Sequence, residues 1–205
     1  MKILITAGPT REYIDPVRFI TNRSSGKMGY AVAQAALERG CDVVLITGPV
    51  AITPPEGARV VHVESAAQMA EAVKREAATC EAVVMAAAVA DYRPAQTAEH
   101  KLKKMPGDMT LRLERTEDIL ASLGAAKRPG QLLVGFAAET DDLLRNAAEK
   151  LRRKNLDWIA ANKVGDGFGA DTDLVTLLGR NGEVVELPLA PKLEVARRML
   201  EVIFG

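Results

Sequence analysis

The sequence predicts an α/β domain, doubly wound around a mostly parallel sheet, with an antiparallel addition near the C-terminus. Three observations carry that prediction. Short apolar runs at 2–7, 42–47, 82–89 and 131–138 are continuous rather than alternating, as strands covered on both faces must be. Between them lie stretches whose apolar residues recur at helical spacing, and strand alternating with helix is the pattern of a parallel sheet. Near the end, Asn181-Gly182 stands between two short apolar runs, which reads as a hairpin with a type I′ turn. At 205 residues without a linker-like stretch, the chain reads as a single domain, 1–205.

The first strand, 2–7, ends in the turn Gly8-Pro9-Thr10. Residues 11–23 are too irregular for a long helix and read as a long first crossover loop, a kind of segment that is usually functional. A helix over 25–39 follows, with Gly40 as its C-cap, and then the second strand, 42–47. Residues 60–63 form a short third strand, and Ser65 caps a helix running to residue 78. The strand 82–89 leads into Ala90-Asp91-Tyr92-Arg93-Pro94. Over 95–107 the chain is polar and reads as a mobile flap that carries Lys101, Lys103 and Lys104, followed by an alternating strand over 109–114. Thr116 caps the next helix, whose first turn holds Glu117 and Asp118, favourable with its dipole. The strand 131–138, a helix over 140–154, the strand 157–162, a Gly- and Asp-rich loop over 163–173, the hairpin and a closing helix over 191–204 complete a Rossmann-like, doubly wound order.

Composition narrows the function. Lys plus Arg and Asp plus Glu are 27 each, so no overall basic balance points to nucleic acid or a membrane surface. No apolar run approaches the roughly 20 residues of a membrane span, and residues 2–7 read as a strand rather than a leader. Cys41 and Cys80 lack metal or redox spacing, and the expected compartment is a reducing cytoplasm. His62 and His100 form no metal pattern.

The stretch Thr21-Asn22-Arg23-Ser24-Ser25-Gly26-Lys27-Met28-Gly29 is a loop entering a helix, and a helix start with small residues grips an anion through free backbone N–H groups. The plain alternative is that Ser24 or Ser25 caps the helix while Gly26 and Gly29 pack against a strand. Neither common nucleotide fingerprint is present. Met28 stands where a Walker loop needs Ser or Thr, and Gly8-Pro9-Thr10 does not begin a G-x-G-x-x-G. No Gly-x-Ser-x-Gly elbow is present either. In open parallel sheets ligands collect at the carboxyl ends of strands, where Gly8, the stretch 21–29 and Asp91 all fall. Asp91 is the best carboxylate to touch a base, a ribose or a cation. The three lysines could close over a polyphosphate, or form a solvated basic loop. Lys150 and Lys154 share a helix face and read first as surface residues.

Five stretches together resemble one family, the phosphopantothenoylcysteine synthetase domain of bacterial coenzyme A biosynthesis. They are ITAGPTREYIDPVRFITNRSSGKMG (5–29), AAAVADYRP (86–94), KLKK (101–104), VGFAAET (134–140) and RRKNLD (152–157). The resemblance implies a ligase of two half-reactions. The carboxylate of 4′-phosphopantothenate attacks the α-phosphate of CTP, with Mg²⁺, giving an acyl-cytidylate and pyrophosphate. The amine of L-cysteine then displaces CMP to form the amide. By the same resemblance Lys101 neutralises the triphosphate, and Met85, Ala86 and Ala87 with Asp91 form the nucleotide-binding strand end. Glu117, Asp118, Ile119, Leu120, Phe136, Lys150 and Lys154 are further nucleotide contacts, although at Glu117 the family often carries another residue. Asn22 holds the acyl-phosphate, with Arg18 and the backbone of Ala88 nearby; the metal ligands are not specified.

The resemblance further implies a homodimer in which an arm of one subunit completes the other's site, with the hairpin around Asn181-Gly182 as the candidate arm. In most bacteria the domain is fused to a flavin-dependent decarboxylase half. None is present in this sequence, which reads as a free-standing form or an excised domain. Two rivals remain at this point: a module that binds a nucleotide or acyl phosphate without chemistry, and a nicotinamide-dependent reductase supported by the α/β pattern alone.

Overall fold

The computed structural model describes residues 1–104, 106–139, 142–163 and 170–205. The predicted architecture is the one found. Twelve strands and five helices run β1 Lys2–Ala7, β2 Arg11–Tyr13, β3 Phe19–Thr21, α1 Lys27–Glu38, β4 Asp42–Thr47, β5 Arg59–His62, α2 Ala66–Ala77, β6 Ala82–Met85, β7 Tyr92–Pro94, β8 Leu113–Arg115, α3 Ile119–Ala125, β9 Leu132–Glu139, α4 Leu143–Arg153, β10 Trp158–Lys163, β11 Thr172–Gly179, β12 Val184–Pro191 and α5 Lys192–Phe204 among the described residues. Eight of the strands form one sheet in the order β12-β11-β10-β9-β6-β1-β4-β5. From β5 to β10 every neighbour is parallel, whereas β11 and β12 add antiparallel. Chain direction across the sheet reverses its march between β1 and β6, which opens a crevice at their carboxyl ends.

The continuous apolar runs are explained by burial on both faces. Ile3, Ile5, Ala7, Val43 and Leu45 join one core layer with α1 and α5. Leu4, Val44, Ile46 and Val83 point the other way, into a layer closed by α2, α3 and α4. Ser65 caps α2 as predicted, through a capping box in which its hydroxyl accepts from the Gln68 N–H.

Several local expectations are corrected. The loop 11–23 contains a two-stranded hairpin, β2 with β3, and 109–114 is strand only at β8, which pairs with β7. The strand expected over 82–89 stops at Met85. Asp118, two residues after the expected Thr116, caps α3 by accepting from the Ala121 N–H at 3.0 Å. The Asn181-Gly182 turn is not type I′, because only Gly182 takes a positive φ (94°). Gly182 N–H donates to the Gly179 carbonyl (3.1 Å) and Gly179 N–H to that of Glu183 (2.9 Å). That is a three-residue loop with its glycine at the bulge position. The helix start expected at 140 and most of the loop 163–173 lie outside the described residues.

Gly48, after β4, fits against Pro9, after β1, so closely that an added Cβ would lie 1.8 Å from the Pro9 carbonyl oxygen. Gly48→Ala is therefore expected to destabilise the fold by about 1–3 kcal/mol or more through overpacking, read as a lower urea midpoint at unchanged slope.

Candidate active site

The crevice at the carboxyl ends of β1 and β6 is shaped by hydrogen bonds between the segments that follow the two strands, which pair once more in a parallel bridge between Pro9 and Ala88. Ala87 N–H donates to Thr6 Oγ1 (3.1 Å) and Ala90 N–H to Thr10 Oγ1 (3.0 Å). Between them, Ala88 N–H donates to the Gly8 carbonyl (2.9 Å), and the Ala88 carbonyl accepts from the Thr10 N–H (3.3 Å). Thr6 and Thr10 are both fully buried. The small residues 86–90 thus turn their backbone along the rim, where a ligand can approach it.

The loop before α1 forms the facing wall. Gly26, at φ 77°, is the N-cap and supplies no side-chain cap. The serines do not cap the helix in the usual way: Ser24 Oγ accepts from Gly26 N–H (3.3 Å) and Ser25 Oγ from Lys27 N–H (3.5 Å). Among the described residues none accepts from the N–H groups of Met28 or Gly29, and both residues line the cavity. This end of α1 is therefore suited to an anion. The packing alternative holds for Gly29 as well, since an added Cβ would meet the Ala7 Cβ at 2.6 Å.

The cavity so enclosed measures about 290 Å³. Ser24, Ser25, Gly26, Ala86, Ala87, Ala88, Asp91, Phe136 and Lys150 all line it. Lys150 Nζ donates to the Phe136 carbonyl at 2.7 Å, which ties α4 to β9 at the cavity wall.

Eight further residues line the cavity that were not predicted as site residues, and four of them, Lys27, Asn162, Asp173 and Lys192, carry polar or charged side chains. Lys27 pairs with Asp171 at 2.5 Å and holds that carboxyl below its ordinary value. Asp173, 2% exposed, accepts from the Leu174 N–H (3.0 Å) and from Asn162 Nδ2 (3.2 Å). Lys192, 7% exposed, donates to the Ala170 carbonyl (2.6 Å), and burial pushes its ammonium pKa down. Asn162 was open to prediction, since it sits at the carboxyl end of a parallel strand. Lys27 lies inside the anion loop itself. Asp173 and Lys192 reach the cavity only because the antiparallel strands fold back across β10, a long-range event without a local signal.

Arg18 and Lys101 fall elsewhere, on a second hollow of about 910 Å³ that Lys103, Lys104, Asp108 and Met109 also line. Asn22 is tied to the first cavity's rim: its Nδ2 donates to the carbonyls of Ala88 (3.1 Å) and Val89 (3.4 Å). Met85 is buried beneath that rim. The predicted group at the start of α3 lines neither hollow. Glu117 pairs with Lys74 (2.6 Å), whose hydrogen bond, with that of Ser122, holds the carboxyl below its ordinary value. Burial alone would raise the Asp118 carboxyl, but its bonds to Lys154 (2.8 Å) and the Ala121 N–H outweigh this and lower it. Ile119 and Leu120 are core residues. Lys154, read first as a surface lysine, is thus a bridge from α4 to α3. Among the described residues no group of three His, Cys, Asp or Glu gathers as a metal cluster, and no helix is long and apolar enough to cross a membrane.

Comparison with known proteins gives a consistent family. The model described as the C-terminal domain of DNA/pantothenate metabolism flavoproteins matches residues 1–205. The coenzyme A biosynthesis bifunctional protein CoaBC of Bacillus subtilis (strain 168) is 52% identical over 205 residues, which cover 98% of this chain and 50% of that protein. The chain spans about half the length of the curated relatives it matches. A crystal structure of the C-terminal domain of CoaBC is 50% identical, covering 98% of this chain and 93% of that one, with a TM-score of 0.86. A Cab2 mutant, H337A, in complex with phosphopantothenate-cysteine superposes with a TM-score of 0.82 over 98% of this chain and 85% of that one. At 20% identity that likeness is one of fold.

Proposed function

The chain belongs to the family of DNA/pantothenate metabolism flavoprotein C-terminal domains, and from that premise we propose that it is a phosphopantothenate–cysteine ligase of coenzyme A biosynthesis. The observation that carries the reading is a single cavity shared by the anion loop (Ser24, Ser25, Gly26), the turn after β6 (Ala86, Ala87, Ala88, Asp91), Phe136 and Lys150. The first group was singled out by its helix-start pattern and the others by the resemblance, and they come from four distant parts of the chain. The CoaBC proteins among its relatives are described as acting in coenzyme A biosynthesis, which supports the same reading.

In the proposed reaction the carboxylate oxygen of 4′-phosphopantothenate bonds to the α-phosphorus of CTP, and pyrophosphate leaves. The amine of cysteine then bonds to the acyl carbon, CMP leaves with the electron pair of the broken C–O bond, and the amine gives up a proton. The protein's part is positioning and charge. The N–H groups of Met28 and Gly29 with Ser24 and Ser25 hold the phosphate and acyl-phosphate end, Asn22 orients the cysteine amine toward the acyl carbon, and Lys101, with Arg18 on the same hollow, offsets the charge of the triphosphate. Mg²⁺ takes one or two carboxylates together with waters and phosphate oxygens, and Asp91, an exposed carboxylate on the cavity wall, fits that demand. With the triphosphate, Asp91 would hold the ion, which supplies charge stabilisation for the departing pyrophosphate.

The reading extends to a cytoplasmic homodimer. Edge strand β12 carries exposed Val184 and Leu189, apolar surface that supports a role for the 172–191 hairpin as the intersubunit arm. It extends equally to a flavin-dependent decarboxylase domain as a fused or separate partner. The test is pyrophosphate release from CTP and, side by side, from ATP. Release that requires phosphopantothenate, is faster with CTP and leads to amide only with cysteine is expected. Nucleotide binding without release would leave only a binding module.

A further inference from the structure

Asp15 lies outside every role assigned so far, yet it is the most heavily bonded carboxylate near the lysine-rich segment. Its side chain is fully buried. Oδ1 accepts from the N–H groups of Val17 (2.9 Å) and Arg18 (2.8 Å), and Oδ2 from Arg18 Nε (2.9 Å) and Nη2 (2.5 Å). Oδ2 also accepts from the backbone N–H of Leu102 (3.2 Å), 87 residues away, while Arg18 Nη2 donates to the carbonyl of the same Leu102 (3.1 Å). One ion pair therefore grips both backbone polar groups of a single residue. Two more bonds continue the seam: Thr97 Oγ1 donates to the Tyr13 carbonyl (3.0 Å) and Ala98 N–H to that of Ile14 (2.9 Å). Among the described residues the next hydrogen bond along the chain is at Arg112, whose carbonyl accepts from the Ala95 N–H.

The grip has a geometric consequence for the lysines. A peptide group is planar, so holding the N–H and the carbonyl of Leu102 fixes the two planes that join it to Lys101 and Lys103. From this we infer that Asp15 is a positioning residue: by clamping Leu102 it sets where Lys101 and Arg18 stand relative to each other, and so holds two cations ready for a polyphosphate. The Arg18 hydrogen bond, reinforced by the backbone N–H groups, keeps the Asp15 carboxyl well below the usual carboxylate range, so the clamp is ionised at neutral pH. The lysine segment is thus anchored at Leu102, and Lys101 belongs to its held end. The inference rests on the ligase reading for its catalytic meaning, but the clamp itself has an independent readout.

Asp15→Asn keeps the shape and removes the charge. In the 205-residue protein, trypsin is expected to cut the Lys101–Leu102 bond about 10-fold faster in the variant, because cleavage follows local opening, while the bonds after Lys103 and Lys104 change little. Pyrophosphate release from CTP and phosphopantothenate is expected to fall about 10²-fold in kcat, the cost of a misplaced group, with the KM for CTP within about threefold. Leu102→Pro, on an exposed segment, removes the N–H that Asp15 accepts without touching the buried carboxylate. It is expected to lower kcat alike at an unchanged melting temperature. A wild-type cleavage pattern in Asp15→Asn overturns the clamp, and faster cleavage with wild-type kcat overturns its positioning role. Absence of pyrophosphate release from the unaltered protein would instead count against the ligase reading, and the cleavage pattern would still decide the clamp.

Discussion

Lys101→Gln is expected to slow pyrophosphate release by about 10²–10³-fold, the loss that follows when one preorganised donor to developing negative charge is removed. The substitution keeps a polar hydrogen-bond donor on a side chain one atom shorter and deletes the charge, so the loss reports chiefly on charge at the departing polyphosphate. Lys101 is exposed and forms no ion pair with the described residues, and an exposed substitution of this kind changes stability by no more than about 0.5 kcal/mol. Stopped-time pyrophosphate assays at saturating CTP and phosphopantothenate, with a melting curve on the same preparation, check both halves. Wild-type release in a folded variant would remove Lys101 from the first half-reaction. Supplied acyl-cytidylate should still react with cysteine at close to the normal rate, since the pyrophosphate has already gone.

The fold was legible where burial on both faces wrote itself into the sequence. Ile3, Leu4 and Ile5 are all fully buried because alternate residues serve different core layers, and that produces the unbroken apolar run. The pairs β2–β3 and β7–β8 were not legible. Each strand has three residues, and Tyr92–Pro94 meets Leu113–Arg115 only through the intervening segment's return. Residues 82–89 are apolar throughout, so nothing local marks the end of β6. It is interrupted where the Thr6 and Thr10 hydroxyls, from another part of the chain, take the N–H groups of Ala87 and Ala90, with Ala88 between them paired in a single bridge to Pro9. Thr116 and Asp118 are both good caps two residues apart, and the choice fell to Asp118, which also meets Lys154 across the helix pair.

The candidate site divides in the same way. The anion loop was legible because a helix start with small residues is a local signal, whereas Ala86, Ala87 and Ala88 were reached through the family resemblance, the turn that carries them being unmarked in the sequence. The bonding of Asn22 was not, because its partners lie 66 and 67 residues away. Lys192 and Asp173 were invisible for the same reason. A lysine at the first position of a helix reads as a solvated charge, yet here the hairpin's return buries it against the Ala170 carbonyl.

Asn22→Ala is expected to impair amide formation by about 10²-fold, the scale of a lost positioning contact, while acyl-cytidylate formation stays within about threefold. The reason lies in which end of the amide is committed. Nδ2 carries the only donors of the side chain, and it is turned to two backbone carbonyls, those of Ala88 and Val89. What Asn22 presents outward is therefore its Oδ1, an acceptor. An acceptor does nothing for an oxyanion or a triphosphate, but it can take a hydrogen from the incoming amine of cysteine and aim the nitrogen lone pair at the acyl carbon. Truncation to Ala also removes one of the two hydrogen bonds on the Ala88 carbonyl and leaves it the Thr10 N–H alone, which loosens the rim on which the acyl group would rest. Mixing supplied acyl-cytidylate with cysteine isolates the second half-reaction. Amide formed at the wild-type rate would refute the assignment, and equal losses in both half-reactions would mean that Asn22 holds the rim rather than the nucleophile.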